Sequence, residues 1–89
     1  MLTVLIVDDD PKLLKMLQRT LVYENLDVLT ATNGLEALPI VQDATPDLII
    51  VDWMMPKMDG LAFVQRLRDE DNETMVLMLT ARDAIENRV

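Results

Sequence analysis

Apolar residues gather in four short runs, Leu2 to Val7, Val28 to Ala31, Leu48 to Val51 and Met75 to Leu79, separated by longer stretches with a helical period. The first and third runs are continuously apolar and rich in Val and Ile, as expected of strands covered on both faces in a parallel sheet. Between the runs, Leu13, Leu17 and Leu21 fall on one helix face, Leu35, Leu38 and Val41 on a second, and Leu61, Val64 and Leu67 on a third. Residues three or four apart stand above one another on a helix, so each set predicts a stripe packed against the sheet. The predicted order is β-α-β-α-β-α-β, followed by a helix start near Asp83 whose Ile85 and Val89 are four apart. Such alternation predicts right-handed crossovers and an α/β sheet with helices on both faces.

Pro39 breaks the second helical pattern. A proline inside a helix removes a hydrogen bond and costs about 3 kcal/mol, so this helix is expected to kink or to begin late, with Pro39 in its first turn. Asp59 reads as an N-cap for the third helix and Gly60 as a plain turn residue. Met54, Met55, Met58, Met75 and Met78 read as gap-filling and loop packing.

At 89 residues, 51% hydrophobic and 27% charged, the chain is globular in character and amounts to one small domain. No apolar stretch reaches the 18 or so residues of a membrane span. The run Met1 to Val7 is too short for a signal peptide and is followed by acids, so a cytoplasmic location is expected. Cysteine and histidine are both absent, which removes disulfides, thiolate sites and the commonest transition-metal ligand. A bound metal must therefore accept oxygen ligands, as Mg²⁺, Ca²⁺ or Mn²⁺ do. The net charge of −8 argues against direct nucleic-acid binding, which rests on Lys and Arg neutralising phosphates.

The first apolar run stops on three consecutive carboxylates, Asp8, Asp9 and Asp10, with Pro11 next. Two readings suit this stretch: a helix start, where acids and an early proline are favoured, or a cation site. The third run ends on Asp52 and the fourth on Thr80. If the strand order is 2-1-3-4, these ends converge where open α/β sheets bind ligands. Carboxylates so gathered repel one another unless a divalent ion sits among them. A carboxylate can also act as a nucleophile toward phosphorus, forming an aspartyl phosphate, and a hydroxyl such as that of Thr80 can bond one phosphoryl oxygen.

The stretches VLIVDDD, VDWMMPKMDG and MVLMLTAR together resemble the receiver domain of bacterial two-component response regulators. The Asp52-Trp53-Met54 and Leu79-Thr80-Ala81-Arg82 details are similar to the OmpR/PhoB class. The resemblance implies a flavodoxin-like (CheY-like) open parallel sheet and an N-terminal part of a receiver domain over residues 1–89. It implies that Asp52 is the phosphoacceptor and that Asp9, Asp52 and the backbone carbonyl of Met54 hold Mg²⁺, with Asp8 acting through metal-bound water. Asp10 is left to the helix, and Pro56 and Gly60 are similar to the family's loop that turns the chain after the phosphoacceptor. Thr80 would bond the phosphoryl group, Ala81 would leave the pocket open, and Met54 and Arg82 would tune the lifetime of the phosphoryl group. The implied partner is a sensor histidine kinase, and the implied output a transcriptional effector region.

A receiver of this family continues through the rest of a fourth helix, a fifth strand carrying a Lys and a fifth helix, and the sequence up to Val89 carries none of these. The fragment is therefore expected to expose the edge of strand four, Met75 to Leu79, and to pair there as a homodimer. Two other readings compete. A haloacid-dehalogenase-type phosphatase also uses a strand-end Asp and Mg²⁺, but wants Asp-x-Asp followed by x-Thr or x-Val, whereas Pro11-Lys12 follows here. The other is an interaction module that works without phosphorylation.

Overall fold

The computed structural model describes residues 1–79. It contains, in order, β1 (Thr3–Val7), α1 (Pro11–Tyr23), β2 (Asp27–Ala31), α2 (Gly34–Ala44), β3 (Leu48–Asp52), α3 (Gly60–Asp69) and β4 (Met75–Leu79). All the pairings are parallel, and the strand order is β2-β1-β3-β4, as expected. The helix start near Asp83, with Thr80, Ala81 and Arg82, lies outside the described residues.

Both faces of the central strands are covered, which explains their unbroken apolar sequence. Leu5, Val7, Ile49 and Val51 face a core closed by Ala37 and Val41 of α2 and by Phe63 and Leu67 of α3. Val4 and Ile6 face the other way, onto Leu14, Leu17 and Leu21 of α1. In each helix the packed face differs from the predicted one at its first position. Leu14 replaces Leu13 in α1, while Leu35 and Leu61 are exposed and Gly34 with Ala37, and Gly60 with Phe63, turn inward. Successive residues stand about 100° apart around a helix, so the leucine next to a buried glycine points away from the sheet. The small residues let the helix backbone approach, and leucine counting passes over them.

The expectation that α2 begins late at Pro39 is overturned. The helix starts at Gly34 and runs through Pro39 to Ala44. A strong cap fixes that start: the Glu36 N–H donates to Asn33 Oδ1 at 2.8 Å, and Glu36 Oε1 accepts from the Thr32 N–H and hydroxyl. Those bonds hold the Glu36 carboxyl below its ordinary range, with Lys57 adding a smaller push in the same direction. The cap and the buried Ala37 and Val41 set the register, and Pro39 is accommodated on the exposed side. Replacing it should therefore stabilise the chain. Pro39→Ala is expected to add about 1–3 kcal/mol, seen as a higher urea midpoint; an unchanged midpoint would show that α2 absorbs the proline without cost.

Candidate functional site

The acidic site follows from strand register. Val7 of β1 is paired with Val51 of β3, so the residues that come next, Asp8 and Asp52, emerge side by side at the carboxyl end of the sheet. The Asp8 N–H continues the ladder to the Ala31 carbonyl at 3.1 Å, and the Trp53 N–H does the same to Leu79 at 2.9 Å. Both strand ends are thereby fixed by the backbone on their outer sides.

Asp8 is 3% exposed, Asp52 half-buried and Asp9 exposed. One carboxylate oxygen from each lies within 4.8 Å of the others. Asp8 Oδ1 accepts from the Asp10 N–H at 2.8 Å, and Asp52 Oδ1 from the Met54 N–H at 3.4 Å. Asp10 turns the other way. Its side chain caps α1, accepting from the N–H groups of Lys12 at 2.9 Å and Leu13 at 3.4 Å, with Pro11 in the first turn. The three consecutive acids thus divide, two facing Asp52 and one starting the helix. Asp59 is the expected N-cap of α3, accepting from the Ala62 N–H at 2.9 Å.

Burial raises the Asp8 carboxyl above its ordinary range, and the charges of Asp52, Asp9 and Asp10 push the same way against the Asp10 N–H bond. Burial likewise raises Asp52, with Asp9 adding to it and the Met54 and Trp53 N–H groups opposing. Both acids hold their protons more tightly in the folded chain, so their contribution favours the fold at low pH and is lost as pH rises through the raised values. The cluster is stressed at neutral pH. Like charges at this separation repel by about 1–3 kcal/mol for effective dielectrics between water and a protein surface. Asp52→Asn is therefore expected to stabilise the metal-free chain by about that much at pH 7 and by little near pH 4. Urea midpoints at the two pH values measure it, and equal midpoints for the two chains at pH 7 would remove the repulsion.

The donor set fits a hard divalent cation: it is all oxygen, negatively charged and partly open to water through Asp9. Thr80, Ala81 and Arg82, the other expected site residues, lie outside the described residues. Two further features stand beside the acids, the first of them not anticipated. A cavity of about 570 Å³ opens at the loop that follows Asp52, lined by Trp53, Met54, Met55, Pro56 and Asp59. Gly60 is no plain turn residue, because it is the buried first residue of α3 and its N–H donates to the Trp53 carbonyl at 2.9 Å.

The family described as the response regulator receiver domain matches residues 4–89. The probable transcriptional regulatory protein TcrX of Mycobacterium tuberculosis is 41% identical over 87 residues, 98% of this chain and 37% of that protein. The chain thus spans little more than a third of that relative. Among solved structures, the receiver domain of the Francisella response regulator 1452 superposes with a TM-score of 0.90 at 34% identity, over 99% of this chain and 73% of that one. Thermotoga maritima response regulator TrrA, in complex with Mg(2+)-BeF, gives a TM-score of 0.87 at 31% identity, over 100% and 77%. These likenesses favour the receiver reading over the phosphatase that shares its strand-end acids. Because the family match runs from Val4 through Val89, the chain belongs to the response regulator receiver domains.

Proposed function

We propose that this chain receives a phosphoryl group on Asp52 from a sensor histidine kinase, with Mg²⁺ held by Asp9, Asp52 and the Met54 carbonyl, and Asp8 acting through metal-bound water. The observation that carries the reading is the convergence of Asp8, Asp9 and Asp52 within 4.8 Å at the ends of adjacent strands. The solved Mg(2+)-BeF complex of TrrA supports the choice of metal. Bound there, the cation supplies positive charge that offsets the carboxylates and the incoming phosphoryl oxygens.

The protein's own part is to aim and bare one nucleophile. A carboxylate oxygen of Asp52 attacks phosphorus, the bond from phosphorus to the donor imidazole breaks, and its electron pair stays on the ring nitrogen, which takes up a proton. Asp52 Oδ1 accepts from the Met54 N–H, which helps to orient the carboxylate for attack. Asp8 is buried and tied to Asp10, so it adds charge without competing as a nucleophile. Thr80 bonds a phosphoryl oxygen, Ala81 keeps the approach open, and Met54 and Arg82 set how fast water removes the group. No external substrate is turned over. The phosphorylated domain regulates a transcriptional effector region, in keeping with the name of TcrX.

The test is covalent. Incubation with acetyl phosphate and Mg²⁺ should place phosphate on the chain, detected by intact-mass spectrometry, and EDTA should prevent it. A chain that stays unlabelled at saturating donor and Mg²⁺ is not a phosphoacceptor.

A second partner belongs to the β4 edge. Among the described strands β4 is outermost and pairs with β3 alone, and Met75 and Leu77 are 70% and 51% exposed. Such an apolar edge, lacking charge and proline, recruits another strand, and a two-fold pair of identical chains is the simplest closure. The charge of −8 opposes pairing but is screened beyond about 8 Å at physiological salt. Sedimentation of this chain across a dilution series should show a dimer that Leu77→Lys converts to monomer; a wild-type monomer at all micromolar concentrations rules the pairing out.

A further inference from the structure

The chain has two glycines, Gly34 and Gly60, and both lie against the loop between β3 and α3, residues 53–59. Neither has a positive φ, so backbone freedom does not explain them. Closeness does. A Cβ on Gly60 would fall 2.5 Å from the Asp52 carbonyl oxygen and 2.9 Å from Trp53 Cα. A Cβ on Gly34 would fall 2.8 Å from the Met58 carbonyl oxygen and 2.9 Å from Met58 Cγ. Side chains do not tolerate backbone at such distances, so a methyl group at either position must move the loop or the helix.

The loop itself is under local constraint. Lys57 and Met58 adopt positive φ of 53° and 83°, a region that residues with a Cβ enter only when their surroundings hold them there. Met55 anchors the middle of the loop in the core, 8% exposed. The α3 start grips one end through the Gly60 N–H bond to Trp53, and the α2 start abuts the other at Met58.

From this we infer that Gly34 and Gly60 are positioning residues for the acidic site: they let the starts of α2 and α3 clamp the 53–59 loop, which sets the position of Asp52 against Asp8 and Asp9. The inference rests on the metal reading of that site. Gly60 acts directly, since it touches the Asp52 peptide. Gly34 acts at the far end of the loop and should matter less.

Mg²⁺ titrations followed by the fluorescence of Trp53, the chain's single tryptophan, test this, with the midpoint as the readout and urea unfolding run on every variant. Gly60→Ala should raise the Mg²⁺ midpoint at least tenfold and Gly34→Ala about threefold, each with a cooperative urea transition retained. Leu67→Val, near the other end of α3, should lower the urea midpoint and leave the Mg²⁺ midpoint in place, which separates positioning from general loss of stability. Unchanged midpoints in both glycine variants, or an equal shift in Leu67→Val, overturn the inference. If Gly60→Ala does not fold, the Gly34→Ala midpoint alone decides. A wild type that shows no saturation with Mg²⁺ refutes the metal reading instead, and the clamp with it.

Discussion

Asp52→Asn is expected to lose covalent phosphorylation by at least a hundredfold while remaining folded. The substitution keeps volume and shape but replaces an anionic nucleophile with a neutral amide, and the chemistry has no substitute for that charge. Of the two neighbouring acids, Asp8 is buried with one oxygen bonded to the Asp10 N–H. Asp9 is exposed and within 4.8 Å of the others, so any residual label belongs there and should vanish in Asp9→Asn/Asp52→Asn. The same substitution removes a source of repulsion and should make the metal-free chain more stable, so loss of label cannot be put down to unfolding. Phosphopeptide mapping after acetyl phosphate treatment gives the answer. Label at the wild-type level in Asp52→Asn would move the phosphoacceptor elsewhere.

The convergence of these acids is legible in the sequence because parallel strands make position predictable. Once Leu2 to Val7 and Leu48 to Val51 read as neighbouring strands, the polar residue after each had to emerge at the same end of the sheet. The division of Asp8, Asp9 and Asp10 was not legible from spacing alone. It depends on Asp10 taking the extended backbone of an N-cap, and a run of identical residues does not say which member turns toward the helix.

The helix faces show where leucine counting loses to packing. Leu35 and Leu61 looked like the first members of apolar stripes, yet each is more than half exposed beside a buried glycine. Apolarity is an incomplete signal for burial, because close helix approach is carried by the smallest residues. The scarcity of glycine was the available clue, since a chain with only two tends to keep them where nothing larger fits. Pro39 misled for a related reason: its local cost was clear, but the cap at Asn33 and Glu36 and the burial of Ala37 and Val41 hold the helix through it.

The largest loss of stability should come from Phe63→Ala. Phe63 is the chain's single phenylalanine, and no part of it is exposed. It shares a core with Ala37 and Val41 of α2, Val51 of β3, Met55 of the loop and Leu67 one turn on in α3. Removing a buried aromatic ring costs about 3–5 kcal/mol through lost transfer energy and the cavity left behind. Small domains have only about 5–15 kcal/mol in total, so Phe63→Ala should remove a large share of the chain's stability. Partial collapse is hindered because the neighbours include small Ala37 and the sheet backbone, which cannot swing in to refill the space. Phe63→Leu, which keeps most of the volume, should cost about 1–2 kcal/mol and separate loss of packing from loss of the ring itself. Urea unfolding followed by far-ultraviolet circular dichroism reads both without relying on Trp53. A cost below about 1 kcal/mol for Phe63→Ala would mean that α3 is not packed on β3 as described, and the seat that Gly60 provides for the Asp52 peptide would go with it.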